Sequence, residues 1–461
     1  MLPAALIAAD SPLAEAVSTD DLATVEQLIK SGADVKAQDR YGFTPLYFAC
    51  NNGNAAIIRK LVEAGADPNA ASAEGETALI TAVRNGDIDS IKVLLQHGAA
   101  VNANDTVSGQ TALMWAARTG HMKAADLLIE YGAQVNAATR TGKAPPVRPP
   151  NYGGGSHGLG INRGGWPERG FQPETPGGMT ALLYAARDGR LEVAKLLLAA
   201  KADINQAEAN GISPLLMALT NNHLDIAGYF LEHGASAKAA DQWGRTPLFA
   251  AVEIRDRDIA RSGEHDIDRP AALELMKTIL DRGADPNART KEVFPIRRFI
   301  SPFGDLAWSD FTGQTAFLRA ALAGDLTVMH LLLDHGADPN IPTLGGNTAL
   351  MAAAGVSWMQ EHTFTESKES LLEAVKLCYQ LGGDVNHVNA MGVTAAMAAA
   401  NRGSDDILQF LVDHGARLDV KDNQGRTVMD WAKGVFLLLN PPIEKPATEA
   451  LIAKLSQARA Q

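Results

Sequence analysis

The chain has 461 residues and a formal net charge of −12, and it is 46% hydrophobic but only 6% aromatic. That acidic balance argues against a general nucleic-acid binder, which needs a basic face to meet the phosphates. No apolar run approaches the ~18 residues at which a membrane span begins, so the chain reads as a soluble, acidic protein.

Residues 2–9 are apolar without interruption, and Asp10-Ser11-Pro12 follows. They fit the tail of a secretory signal peptide cleaved near Ala8 or Ala9, with the true start upstream of Met1, although the basic leading region is missing. They also fit an extra helix covering the open end of a stack. The first reading, slightly favoured, makes the protein exported or periplasmic; the second leaves it cytoplasmic. Residues 12–30 then form a helix pair closed by Gly32-Ala33-Asp34-Val35, so 1–38 reads as an N-terminal cap.

The next stretch, 39–136, introduces a cassette. Gly42 suits a turn with φ > 0, and Thr44 can cap a helix whose first residue is Pro45. Gly53 breaks that helix. A second helix follows with Ile57, Ile58, Leu61 and Val62 on one face, and Gly65 sits where a left-handed cap belongs. The capping hydroxyl recurs at Thr77, Thr111, Thr180, Ser213, Thr246, Thr315, Thr348, Thr394 and Thr427, each with a glycine two residues earlier. Five of the nine gaps are 33 residues and a sixth is 34.

Four interruptions break this period. Residues 137–177 form a Gly/Pro-rich insertion between units, with Arg140, Lys143, Arg148, Arg163 and Arg169 interleaved with Tyr152, Trp166 and Phe171. It has neither helical nor strand periodicity. Units resume over 178–288, the last split between its helices at about 254–270 by a mixed-charge run that is most simply a solvated loop. A second interrepeat insertion, 289–312, carries Phe294, Arg297, Arg298, Phe299, Phe303, Trp308 and Phe311. Units continue over 313–440 with a further helix–helix insertion near 357–370, and 441–461 ends in a helix capped by Thr448.

A period of 33 with a T-P-L opening resembles the ankyrin repeat. The resemblance covers nearly the whole chain outside the insertions. It implies an all-α fold of helix pairs joined by short β-turns or hairpins, an α-solenoid of about 11 pairs whose concave face binds another protein. In such an array Cys50 and Cys378 cannot meet, so no internal disulfide is expected. One departure is systematic. The family carries His after T-P-L, where it ties neighbouring units by hydrogen bonds. Here Tyr47, Ile80, Met114, Leu183, Leu216, Phe249, Leu318, Met351, Met397 and Asp430 stand instead, so apolar packing is expected to replace that network. A second departure is Lys201 in a closing-glycine position, at a cost on the order of 1 kcal/mol if left-handed.

The chemistry is sparse. Gly154-Gly155-Ser156-His157-Gly158 matches the G-x-S-x-G elbow but lacks the strand and helix that strain the serine into place. Histidines 157, 265 and 362 lie in different insertions and define no metal site, and no cofactor motif is present. Phe48 and Trp115 take a first-helix position that usually packs between units, so both read as core. Tyr41 and Trp243 sit at turn tips on the concave rim.

The leading reading is a non-catalytic scaffold that binds a protein or peptide on its concave face, bracketed by insertions 137–177 and 289–312. The residues singled out for contact are Tyr41, Trp243, Tyr152, Arg163, Trp166, Phe171, Arg297, Arg298, Phe299, Phe303 and Trp308, because aromatic and arginine side chains favour binding hot spots. A self-associating structural protein and a hydrolase using Ser156 or His157 stay open as alternatives.

Overall fold

The computed structural model describes residues 11–39, 42–141, 177–256, 267–291, 312–357, 366–435 and 443–460. These hold 22 helices and no strand, only isolated β-bridges. The expected all-α repeat of eleven helix pairs is what the chain adopts.

The helices fall into two compact units. The first, ending at Ala235, contains the pairs α1 (Pro12–Ser18) and α2 (Leu22–Lys30), α3 (Pro45–Asn52) and α4 (Ala55–Glu63), α5 (Ala78–Asn85) and α6 (Ile88–Gln96). It continues through α7 (Ala112–Thr119) and α8 (Met122–Glu130), α9 (Ala181–Arg187) and α10 (Leu191–Ala199), α11 (Pro214–Thr220) and α12 (Leu224–Glu232). The second begins at Ser236 with α13 (Pro247–Arg255) and α14 (Arg269–Asp281), then α15 (Ala316–Ala323) and α16 (Leu326–Asp334). Its remaining pairs are α17 (Ala349–Ala354) and α18 (Lys368–Gln380), α19 (Ala395–Arg402) and α20 (Asp405–Asp413), α21 (Val428–Ala432) and α22 (Pro446–Ala460).

Local chemistry sets these bounds. In nine first helices the predicted Thr or Ser sits at the N-cap in extended backbone, and its hydroxyl oxygen accepts from the amide three residues on, as Tyr47 N does toward Thr44 Oγ1 at 3.3 Å. That satisfies one amide the helix itself cannot. At the tenth, Thr427 donates from its amide and hydroxyl to Asp430 Oδ2, both at 2.8 Å, and these bonds hold the Asp430 carboxyl below its ordinary range. The one polar residue in the missing-histidine column is thus spent on its own helix start.

Successive turn tips are joined by one backbone bond each. Thr106 N donates to Glu74 O (2.8 Å) and Arg140 N to Ser108 O (3.0 Å) in the first unit, and Leu344 N to Thr312 O (2.8 Å) in the second. This approach is why the tip must be glycine: a Cβ on Gly75, at φ +78°, would lie 2.6 Å from Thr106 N. The residues flanking the two interrepeat insertions pair as an ordinary hairpin does. Thr139 N donates to Met179 O (3.0 Å), and Thr290 N to Gln314 O (3.0 Å).

The apolar column after T-P-L packs as expected; apart from half-buried Tyr47 and exposed Asp430, all of it is buried. Polar ties between units come from asparagines that close several of them. Asn69 Nδ2 donates to Gly98 O (3.0 Å) while its Oδ1 accepts from Ala100 N (2.6 Å). Asn102, Asn136, Asn287 and Asn386 repeat this two-way clasp on the following unit. Each clasp satisfies a carbonyl and an amide that a turn would otherwise leave to water.

Lys201 is left-handed, with φ +69°, and its carbonyl accepts from Asn136 Nδ2 at 3.2 Å. The clasp holds the position closed whatever side chain it bears. Lys201→Gly is therefore expected to raise stability by about 1 kcal/mol, measured as a higher urea midpoint at unchanged slope.

The mixed-charge run expected to be a solvated loop is not one at its ends. Residues 257–266 lie outside those described, but Asp256 is fully buried and Arg255 nearly so. Arg255 Nε reaches Asp325 at 2.7 Å, and Arg269 bridges Asp325 (3.2 Å) and Glu366. The extra residues are also partly helical, since α14 and α18 each run 13 residues against nine in the other second helices from α2 to α20.

Candidate interaction face

Of the eleven contact residues singled out from the sequence, Trp243 alone falls within the described residues. It is half-buried at a turn tip; its amide donates to Asp241 Oδ1 (3.0 Å) and its carbonyl accepts from Lys291 N (2.6 Å). Burial raises the Asp241 carboxyl, and Arg245 opposes that shift. Tyr41, Tyr152, Arg163, Trp166, Phe171, Arg297, Arg298, Phe299, Phe303 and Trp308 lie outside the described residues, as do Ser156 and His157.

A different set comes together in the first unit. Counting from each capping hydroxyl, the fourth position along the first helix holds Phe48, Thr81, Trp115, Tyr184 and Met217, and the seventh holds Asn51, Arg84, Arg118, Arg187 and Thr220. These offsets, three apart, lie on one helix face. Neighbouring first helices pack side by side from α3 to α11, which lines the columns up. Phe48 and Trp115, expected as core, are half-buried on this face. The aromatic–arginine pair at i, i+3, Trp115 with Arg118 and Tyr184 with Arg187, was the signal that could have marked this face.

The geometry is specific. Arg84 and Arg118 present their guanidinium carbons 5.8 Å and 5.0 Å from the Trp115 ring, one from the preceding unit and one from the same helix. Arg187 lies 4.7 Å from the Tyr184 ring, whose hydroxyl accepts from Gln110 Nε2 at 3.0 Å. Such cation–ring contacts are each worth about 0.5–1 kcal/mol when exposed. At the other end Phe43 stacks on Tyr47 (centroids 4.1 Å) and Phe48 meets Tyr47 edge-on (5.9 Å). Burial raises the Tyr47 and Tyr184 phenols, keeping both neutral donors.

The cations differ in how they are compensated. Arg84 pairs with Glu76 (2.8 Å), and Arg187 with Asp188 through two bonds of 2.9 Å and 2.8 Å. Arg118 is exposed and has no carboxylate within ion-pair distance among the described residues. The exposed Arg190, whose Nε donates to Arg118 O at 3.3 Å, has none either. In the second unit the fourth position holds Ala250, Arg319, Ala352, Ala398 and Trp431, with the alanines buried, so the aromatic ladder belongs to the first unit alone.

Among the described residues no three His, Cys, Asp or Glu side chains gather as a metal site, and no helix is long and apolar enough to cross a membrane. Cys50 and Cys378 are free and buried; burial pushes both thiols up, Cys378 to about 12.

Comparison with known proteins agrees with this architecture. A family model described as ankyrin repeats (3 copies) matches residues 67–139, 182–262 and 365–444. Related ankyrin-repeat models match 28–82, 243–291 and 312–341. The chain belongs to the ankyrin-repeat family. Its members are built from modules that generally mediate protein–protein interaction and are typically non-catalytic. An ankyrin repeat protein of Acanthamoeba polyphaga mimivirus is 26% identical over 129 residues, 25% of this chain and 22% of its own length. The ankyrin repeat and SAM domain-containing protein 6 of Danio rerio is 28% identical over 133 residues, covering 24% and 18% respectively. The chain thus spans about a fifth of the length of these curated relatives.

Proposed function

We propose that this protein is a non-catalytic scaffold that holds a protein or peptide on the first-helix face of its first unit. The observation that carries the reading is the Arg84–Trp115–Arg118 stack with Tyr184 and Arg187 beside it. The half-buried Trp115 ring, with two guanidinium groups over it and the buried Tyr184 beside it, supplies rigid area and directed donors at little entropic cost, which is the composition of binding hot spots. Nucleic acid is disfavoured as the partner by the net charge of −12.

The test is retention from native extract. Immobilised wild-type chain and a Lys123→Glu control, altered on the exposed side of α8, are expected to retain the same protein. A Trp115→Ala/Tyr184→Ala variant is expected to lose it, with affinity down by about thirtyfold or more. Equal retention by all three overturns the proposal.

A further inference from the structure

The charges on the first unit are not distributed at random over its two helix layers. The five first helices from α3 to α11 contain no aspartate or glutamate at all, and carry three arginines, Arg84, Arg118 and Arg187. Each of the five second helices from α4 to α12 carries at least one carboxylate, from Glu63 on α4 to Asp225 and Glu232 on α12. On a chain of net charge −12, these first helices carry no acid of their own, and the carboxylates beside them, Glu76 and Asp188, are spent on Arg84 and Arg187. Burial accounts for much of that absence, because most positions of α5, α9 and α11 are buried and shun carboxylates; what burial leaves open is the pairing of the exposed arginines.

Two of the cations on or beside that face are uncompensated. Arg118 lies over the Trp115 ring at 5.0 Å, and Arg190 lies against the end of the same helix through its bond to Arg118 O (3.3 Å). Both are exposed, and neither meets a carboxylate among the described residues. A guanidinium stacked on a ring keeps its in-plane donors free, arranged as the fork that matches a carboxylate. Arg84 and Arg187 flank this position as charge-compensated ion pairs with Glu76 and Asp188.

Resting on the binding face proposed above, we infer that its partner is a protein segment bearing carboxylates, docked with an acidic side chain on the Arg118–Arg190 pair and an apolar one against Trp115. Charge complementarity selects this occupant. A basic segment would face two unpaired cations, and a neutral one would desolvate them without return. Two unpaired arginines are too few for the distributed phosphate contacts of a nucleic acid.

Fluorescence anisotropy on the full chain tests this, with fluorescein-labelled peptides of about twelve residues alternating glutamate and leucine, and an analogue with glutamine for glutamate. The glutamate peptide is expected to bind at least about tenfold more tightly than the glutamine one, and to weaken as sodium chloride rises toward roughly 0.3 M. Arg118→Glu/Arg190→Glu is expected to abolish binding. The milder Arg118→Gln/Arg190→Gln should weaken it by about tenfold, guarding against a folding defect, and Lys123→Glu should leave it unchanged. Equal binding of the two peptides overturns the acidic partner; if that binding is also lost in Trp115→Ala, the face stands and only its charge preference falls. No binding of the glutamate peptide, its retention by the charge-reversed variant, or displacement by an equal concentration of oligothymidylate each overturns the inference.

Discussion

Asp256→Asn is expected to stabilise the protein at pH 7, with the gain over wild type shrinking as the pH is lowered toward 4. The Asp256 side chain is fully buried, and neither carboxylate oxygen has a hydrogen-bond partner among the described residues. Among the described residues its ion-pair partner, Arg269, is 3.9 Å away and engages Asp325 and Glu366 more closely. Burial pushes the Asp256 carboxyl well above its ordinary range, and the charge on Asp325 adds to this, against opposition from Arg319, Arg269 and Arg255. A folded-state shift in that direction favours folding below the unfolded carboxyl value of about 3.9. The advantage is lost as the pH rises through the folded value, because the unfolded chain ionises first. Asparagine removes the ionisation and keeps the shape. The gain at neutral pH is on the order of 1–3 kcal/mol, because ionisation of the unfolded carboxyl no longer competes with folding. Urea midpoints of both proteins across pH 4 to 8 check it, and parallel curves would show that Asp256 does not titrate in this window. Asp325 is the contrasting case. It accepts from Arg255 Nε (2.7 Å), Arg269 (3.2 Å) and Val328 N (3.1 Å), so Asp325→Asn is expected to destabilise.

Why one of these aspartates is satisfied and the other is not could not be seen in the sequence. Arg255, Asp256 and Arg269 sit in a run of mixed charge that composition assigns to solvent. Their partners Asp325 and Glu366 are 70 and 97 residues away from Arg255 and Arg269 respectively, and a polar side chain carries no mark of so distant a neighbour. The asparagine clasps failed for a related reason. Asn69 and Asn102 meet backbone groups about thirty residues on, and a carbonyl has no sequence signature. What could be read were features that constrain their own residue type. A hydroxyl cap at Thr44, a tip at Gly75 that excludes a Cβ, and the left-handed Lys201 each declare themselves locally. The binding face lies between these cases. Its i, i+3 pairs, Trp115 with Arg118 and Tyr184 with Arg187, were in plain view, but the family habit of burying the fourth position argued against them.

Trp431→Ala is expected to destabilise the second unit by about 3–5 kcal/mol, the range for deleting a buried large aromatic. Trp431 occupies the same fourth position as Trp115, yet its ring is fully buried. The difference lies in what surrounds it. Its helix α21 packs between α19 and α22, and its ring nitrogen donates to Asp422 Oδ2 at 3.0 Å. Asp422, itself buried, organises the turn before the helix: Oδ1 accepts from Gln424 N and Arg426 N, both at 2.9 Å, and Oδ2 also accepts from Arg426 Nε at 2.7 Å. The Arg426 guanidinium then lies 4.9 Å from the Trp431 ring, closing a cycle of indole, carboxylate and guanidinium. Removing the indole leaves a cavity and takes one donor from a buried carboxylate. Trp431→Phe separates the two contributions, because it fills most of the space but cannot donate. It should cost only about 1–1.5 kcal/mol, and a double-mutant cycle with Asp422→Asn should show a coupling of at least about 0.5 kcal/mol. Urea midpoints measure the wild type and all four variants. A Trp431→Phe loss as large as that of Trp431→Ala would mean the hydrogen bond, rather than the packed ring, holds α21 in place.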